Sequence, residues 1–333
     1  MREAWERAAP PLEPRAASVA ALVRAAFPGA TPLRFEPARA GLVNDNFRLE
    51  LDGAAPRFVL LRYWRRGPAQ AGMEVALLRR LRPGLPVPEV IFARAADPDF
   101  GLPCALLEWM EGERLDLAAK GAGGVEVAAL GRAAGALLAR VHETTFARLG
   151  FFDEHLSPAA GYDASVEGQL AWLASTCAAP FARARFGDGL FDRLMAFVAR
   201  RGAALASDWA LKPCLSHGDY DPSNILVRRG PDGFEAAAAL DWEFAFAGGP
   251  AFDFGHLLRP PLGDDARFID ALCAAYRAAG GVLPPDWREA ARVADLLSWA
   301  DFLAQPFCGA AAARSARDMI ERLTGERVAP SRG

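Results

Sequence analysis

From Leu215 to Val227 the chain reads Leu-Ser-His-Gly-Asp-Tyr-Asp-Pro-Ser-Asn-Ile-Leu-Val. An apolar lead-in and an apolar run-out bracket a polar turn, so the segment is expected to be a loop clamped between two short strands. Within it Asp219 and Asn224 stand five positions apart. That is the spacing of a phosphoryl-transfer loop, in which an Asp takes the proton of an attacking hydroxyl and an Asn reaches a magnesium ion. Farther on, Ala-Leu-Asp-Trp-Glu at 239–243 reads as a strand ending on the Asp241 carboxylate. Mg²⁺ takes oxygen ligands, commonly one or two carboxylates plus the substrate's phosphates. Asn224 and Asp241 are the candidate pair.

The residues ahead of this loop read as a small sheet. A short amphipathic helix is expected over 17–27, closed by Pro28 and Gly29, and strand-like alternation begins at Leu33. Residues 38–51 suggest a hairpin turning near Gly41 and Asn44, either a plain surface turn or a flap over phosphates that would include Asn46. Period-2 alternation along 57–64 puts Leu60 and Arg62 on one face. A helix over 71–81 carries Glu74 near its start, where it can pair with Arg62 as the strand cation and helix glutamate do around ATP phosphates. Strands at 90–93 and 104–110 complete a five-stranded antiparallel lobe. Its exit, Glu108 to Met110 and then Gly112, is a hinge where an adenine can meet backbone groups.

After the hinge the periodicity becomes helical at 125–143, 166–177, 190–205, 266–279, 287–302 and 310–323, with a hairpin at 225–227 and 234–240. The expected fold is thus α+β and two-lobed: residues 1–110 for the nucleotide, 111–327 for the catalytic loop and acceptor, and 328–333 as a tail. With 333 residues, 52% hydrophobic and 24% charged, the chain suffices for two cores. No apolar run approaches the roughly 18 residues of a membrane span, and the charged start lacks a signal core, so a cytoplasmic protein is expected. Five scattered cysteines without CxxC spacing suit reduced thiols.

Residues 1–110 hold 15 Lys/Arg and 12 Asp/Glu (+3), and 111–333 hold 23 and 29 (−6). That balance argues against nucleic acid as a partner. It raises a cationic or amine-bearing acceptor as one candidate, with Asp295 and Asp301 flanking Trp299 best placed to meet it. The alternative is that these carboxylates only solvate helix faces. Trp172, Trp287, Trp299 and Phe302 read mainly as core.

His217-Gly218-Asp219 with Asn224, then Asp241-Trp242-Glu243 and Gly249-Pro250-Ala251-Phe252-Asp253-Phe254, together resemble the aminoglycoside phosphotransferase and choline kinase-like family, which shares the protein-kinase fold. The resemblance covers roughly residues 32–305 and extends to Leu137 through His142. It implies ATP and Mg²⁺ as cofactors and transfer to a hydroxyl, less readily an amine, of a small molecule. It further implies Asp219 as catalytic base, Asn224 and Asp241 as metal ligands, His217 as a residue that positions the loop, and Asp253 as a buried brace. Two departures stand out. Arg62 occupies a position where the family often has Lys, and the chain's two lysines, Lys120 and Lys212, lie on no suitable strand; arginine holds phosphate through a fork rather than a point charge. Asp-Trp-Glu replaces Asp-Phe-Gly and no Ala-Pro-Glu follows, which weighs against the alternative of a protein kinase. A catalytically silent nucleotide-binding module is the other alternative, disfavoured because Asp219, Asn224 and Asp241 are all present.

Overall fold

The computed structural model describes residues 5, 7, 9–38, 43–53, 56–187, 189–231 and 233–325. β1 (Thr31–Pro37), β2 (Asp45–Asp52), β3 (Phe58–Tyr63), β4 (Val90–Arg94) and β5 (Cys104–Glu108) form an antiparallel sheet in the order β1-β2-β3-β5-β4. Alternation assigns its faces. Phe47, Leu49, Leu51, Val59, Leu61, Tyr63 and Leu106 are buried against Val19, Leu22 and Val23 of α1 (Ala16–Ala26). The other face carries Arg62, paired across the sheet with Asn46 and Ala105, and Leu60, paired with Leu107. Ala105 and Leu107 join a core that continues through Leu77 of α2 (Pro68–Leu81) into Leu130, Tyr220 and Ile225. One side of the sheet therefore faces the catalytic loop.

The remaining chain is mainly helical: α3 (Leu115–Ala118), α4 (Gly124–His142), α5 (Val166–Thr176), α6 (Pro180–Phe186), α7 (Leu190–Trp209), α8 (Pro250–Leu257), α9 (Ala266–Ala278), α10 (Trp287–Ala304) and α11 (Ala310–Gly325). The expected two-lobed α+β fold is present. α4 and α9 touch backbone to backbone. A Cβ on Gly131 would stand 2.4 Å from the Phe268 carbonyl oxygen, and one on Gly135 2.2 Å from that of Leu272. Only glycine permits so close an approach. Two small sheets lie on the helices. β6 (Glu113–Arg114) joins the hairpin of β9 (Ile225–Gly230) and β10 (Gly233–Ala239), and β11 (Phe246–Gly248) lies between β7 (Gly150–Phe151) and β8 (Cys214–Ser216).

Sequence periodicity did not disclose α6 or α8, each eight residues or shorter, nor the short strands β6, β7 and β11, whereas β8 is the short strand expected ahead of the loop. The stretch ahead of α1 also has a place that periodicity could not show. Trp5 stacks on Phe302 at 5.0 Å and donates its indole N–H to Ser315, while Arg7 and the Leu12 amide reach Asp45 at the start of β2. The segment thus ties the late helices to the sheet. Residues 328–333, read as a tail, lie outside the described residues. All five cysteines are buried and free, in line with reduced thiols. Among the described residues no helix is long and apolar enough to cross a membrane.

Asp208 lies buried near the end of α7, where its Oδ2 accepts the Ala251 amide at 3.3 Å in the first turn of α8. Burial pushes its carboxyl up to about 7; the Ala251 N–H opposes this, and Asp286 and Asp253 add to it. Between about pH 4 and 7 the folded state then binds more proton than the unfolded one, so stability falls as pH rises through that window. The shift corresponds to about 4 kcal/mol at most. Asp208→Asn, uncharged and still able to accept the amide, is expected to raise the unfolding temperature at pH 8 by roughly 2–5 °C. It should also flatten the slope between pH 4 and 7. A variant less stable than the parent at pH 8 would show that the charge itself is required.

Candidate active site

The loop at 217–224 is shaped by its own sequence. Gly218 has φ +76°, and a Cβ there would lie 2.3 Å from the Phe244 carbonyl oxygen, so both conformation and space demand glycine. Asp221 caps the one-turn 3₁₀ helix Pro222–Asn224, its Oδ1 accepting from the Ser223 amide at 2.9 Å. Proline suits that first turn because its missing N–H would have no partner there. The turn swings Asn224 back so that its Nδ2 donates to both the Asp219 carbonyl and Asp219 Oδ2, each at 2.9 Å.

Asp253 of α8 holds the loop from beneath. Fully buried, its Oδ2 accepts the His217 amide and its Oδ1 the Gly218 amide, both at 2.9 Å, and Oδ2 also meets His142 Nε2 at 3.0 Å. Burial alone would raise this carboxyl, but the His142 hydrogen bond and the neighbouring imidazoles and amide outweigh it and hold the group below its usual range. The other nitrogen of His142 meets the Tyr276 hydroxyl at 2.8 Å, anchoring the network to α9.

His217 is buried under Trp242, ring centroids 4.4 Å apart, and its Nε2 donates to the Leu240 carbonyl at 2.9 Å. Its Nδ1 accepts from the Asp219 amide at 3.3 Å. Those partners select the Nε2–H tautomer, and burial pushes the ring's pKa down, keeping it neutral. The Leu240 amide also donates to the Asn224 carbonyl at 2.9 Å. Asp241 is thereby delivered beside Asn224, with a backbone φ of +61° that a non-glycine residue adopts only under constraint.

From the sheet, Arg62 closes the arrangement. Its Nη1 donates to Asp241 Oδ1 at 2.6 Å and its Nη2 to Glu74 Oε2 at 3.1 Å. Glu74 also accepts the Trp64 indole N–H at 2.6 Å. Burial opposes the Arg62 cation, but Glu74, Asp241 and Glu243 outweigh it and secure the charge. The fork of a guanidinium explains how one cation serves both carboxylates. Its Nε has no hydrogen-bond partner among the described residues.

A profile of the phosphotransferase enzyme family matches residues 34–293. The chain belongs to that family. The small-molecule phosphotransferase expected from the motifs is thereby shown at the level of the family. No curated protein matches the sequence significantly. Among solved structures, the GDP and kanamycin complex of APH(2")-IIIa is 14% identical, with a TM-score of 0.66 over 92% of this chain and 97% of that one. The macrolide 2'-phosphotransferase MphH from Brachybacterium faecium is 20% identical, with a TM-score of 0.60 over 90% and 97%. A thermostable mutant of APH(4)-Ia, in a ternary complex with ADP and hygromycin B, is 17% identical, with a TM-score of 0.62 over 92% and 98%. At these identities the likeness concerns the fold.

In this phosphotransferase the residues singled out ahead of the catalytic loop fall as follows. Asn44 is buried, its Nδ2 donating to Glu243 Oε2 at 2.7 Å and its Oδ1 accepting the Arg65 amide at 3.1 Å. It latches the sheet to the Asp-Trp-Glu segment. Asn46 lies opposite Arg62, with a buried Oδ1 lacking a hydrogen bond among the described residues. Gly41 is outside the described residues. Glu108 spends its carboxylate on Arg82 at 2.7 Å and the Glu89 amide, and its own amide donates to the Glu89 carbonyl at 2.9 Å; Met110 is half-buried. Gly112 follows with φ +152°, its Cβ position 3.0 Å from Leu226 Cβ.

The carboxylates proposed for a cation are already engaged. Arg259 binds Asp295 Oδ1 at 2.7 Å and lies 4.3 Å over the Trp299 ring, whose N–H donates to Asp295. Asp301 accepts from Gln305, and burial raises its carboxyl. Asp153, Asp163 and Asp265 cap local backbone, and Asp264 pairs with Arg322. Asp295 and Asp301, the pair singled out for an ammonium group, are therefore occupied by the protein's own side chains. Sequence reasoning also missed Arg259 and His256 as neighbours of the loop, and Glu243 as the partner of Asn44. Only the proximity of Glu243 to Asp241 in sequence offered a signal.

Proposed function

We propose that the protein moves the terminal phosphoryl group of ATP to a hydroxyl of a small molecule, with residues 1–110 and 111–327 as lobes meeting at the hinge near Gly112. One observation carries the reading: Asn224 clasps Asp219 at 2.9 Å while the Leu240–Asn224 backbone bond sets Asp241 beside it, under Arg62 from the other lobe. Asp219 orients the acceptor hydroxyl and takes its proton as the acceptor oxygen bonds to phosphorus and the bond to the departing ADP oxygen breaks. A phosphoryl transfer of this kind needs position and charge neutralisation rather than a covalent intermediate. His217 and Asp253 fix the loop's backbone without touching the reacting atoms.

The residues fit the cofactors. The orphaned Arg62 Nε–H suits a phosphate oxygen, and a purine would be met by backbone groups between Glu108 and Met110. No group of three or more His, Cys, Asp or Glu side chains gathers as a metal cage among the described residues. An ion here would draw on the Asn224 amide oxygen, Asp241 Oδ2 and the nucleotide itself, which is how Mg²⁺ is usually held. Bound there, Mg²⁺ would neutralise charge on the phosphates.

The test is nucleotide consumption by the purified chain with Mg²⁺, using ATP and GTP because the similar structures carry ADP and GDP. Aminoglycosides, macrolides, amino alcohols and neutral sugars serve as acceptors. At least one class is expected to raise turnover about tenfold or more over water. Absence of nucleotide binding by calorimetry, together with no acceptor-stimulated turnover, would overturn the proposal. The structure offers no reason to favour amines over neutral alcohols.

A further inference from the structure

α8 and the residues just after it meet the catalytic loop at three successive points. Asp253 holds the amides of residues 217 and 218, His256 comes to Asp219, and Arg259, just past the helix, approaches Asp221 with 4.0 Å between Nη1 and Oδ2. Residues spaced i and i+3 share a helix face, so His256 is aimed at the loop by the same geometry as Asp253. The His256 side chain is 4% exposed, and its Nδ1 lies 3.3 Å from Asp219 Oδ1. Among the described residues neither ring nitrogen has a hydrogen-bond partner of good geometry. A buried imidazole left in this state is costly, and such exceptions call for an explanation. A modest turn about the soft Cβ–Cγ torsion would bring Nδ1–H onto Oδ1.

We propose that His256 is a positioning residue for Asp219, an inference that rests on the reading of Asp219 as the base. Asn224 holds Oδ2 from one side and His256 steadies Oδ1 from the other. The imidazole neither touches the acceptor nor receives its proton. It limits the carboxylate to one rotamer, so that less ordering remains when the acceptor arrives.

The experiment compares the full chain with His256→Leu, His256→Gln, Asp219→Asn and the Asp219→Asn/His256→Leu double variant. Hydrolysis of ATP with Mg²⁺, in which water is the acceptor, is the assay. Expected is a loss of about tenfold or more in kcat for His256→Leu with KM for ATP within about twofold. His256→Gln, which keeps a donor, should recover to within about threefold of the parent. In the Asp219→Asn background the Leu substitution should cost nothing further. Equal losses in both backgrounds, or parental kcat in His256→Leu, would overturn the proposal. Should Asp219→Asn itself hydrolyse ATP normally, the base assignment falls instead. The clasp is then judged by crystal structures of the parent and His256→Leu without nucleotide: a carboxylate turned away from Asn224 only in the variant upholds it, and an unmoved one refutes it.

Discussion

Asp219→Asn is expected to lower phosphoryl transfer by a factor of about 10² or more while nucleotide affinity stays within about twofold. The substitution preserves size. The introduced side-chain amide can turn its oxygen to Asn224 Nδ2 and, once His256 carries its proton on Nε2, its nitrogen to His256 Nδ1; these two groups now flank the carboxylate at 2.9 and 3.3 Å. The loop backbone is held by Asp253 and His217, neither of which requires the Asp219 carboxylate. What disappears is the ability to take a proton from an attacking hydroxyl. Single-turnover transfer and calorimetric nucleotide binding, measured on the same preparation, separate the two effects. Unchanged transfer would remove Asp219 from the mechanism; a matching loss of nucleotide affinity would make it part of the phosphate site instead.

The parts of the fold legible in the sequence are those that repeat a period over several turns or strands. Alternation along 57–64 anticipates that Leu60 and Arg62 share a face of β3, and the stripe along α4 anticipates its burial. The Asp219 and Asn224 spacing is legible because a tight loop leaves few ways to bring such residues together. α8 is not, since eight largely apolar residues beginning Pro-Ala-Phe show no resolvable period.

Partners are harder than elements. Arg62 could be placed on an inner face, and its pairing with Glu74 anticipated, but its bond to Asp241, 179 residues away, depends on how the two lobes meet. Charge counting fails for a related reason. A tally of carboxylates does not distinguish a free Asp from one such as Asp295, already bound by Arg259 from 36 residues earlier in the chain. The cation beside Trp299 is thus the protein's own, and a feature that suggested ligand chemistry proves to be internal structure. His256 gave no sign because a histidine in an apolar helix looks the same whether it fills space or faces a catalytic carboxylate.

Asp253→Asn is expected to be the most damaging conservative substitution for fold and activity together. The carboxylate accepts two amides and an imidazole N–H with no solvent to replace them. An Asn side chain has one acceptor oxygen, so its NH₂ must face at least one of these donors and leave it buried and unpaired. That mismatch costs about 2–4 kcal/mol, with a loss of several degrees in unfolding temperature. Because the folded carboxyl lies below its ordinary range, its contribution is present above the unfolded value near 3.8 and is lost as pH falls through the folded value. The difference between parent and variant should therefore be full at pH 7 and shrink only in acid. Activity should fall by about 10² or more even where the variant is folded, because the amides released at 217 and 218 adjoin Asp219 and misplacement by about 1 Å is enough for such a loss. His142→Gln, which removes only the partner of one oxygen, should fall between parent and Asp253→Asn in both properties. An Asp253→Asn protein with parental melting at pH 7 and parental turnover would show that the loop is held by other means.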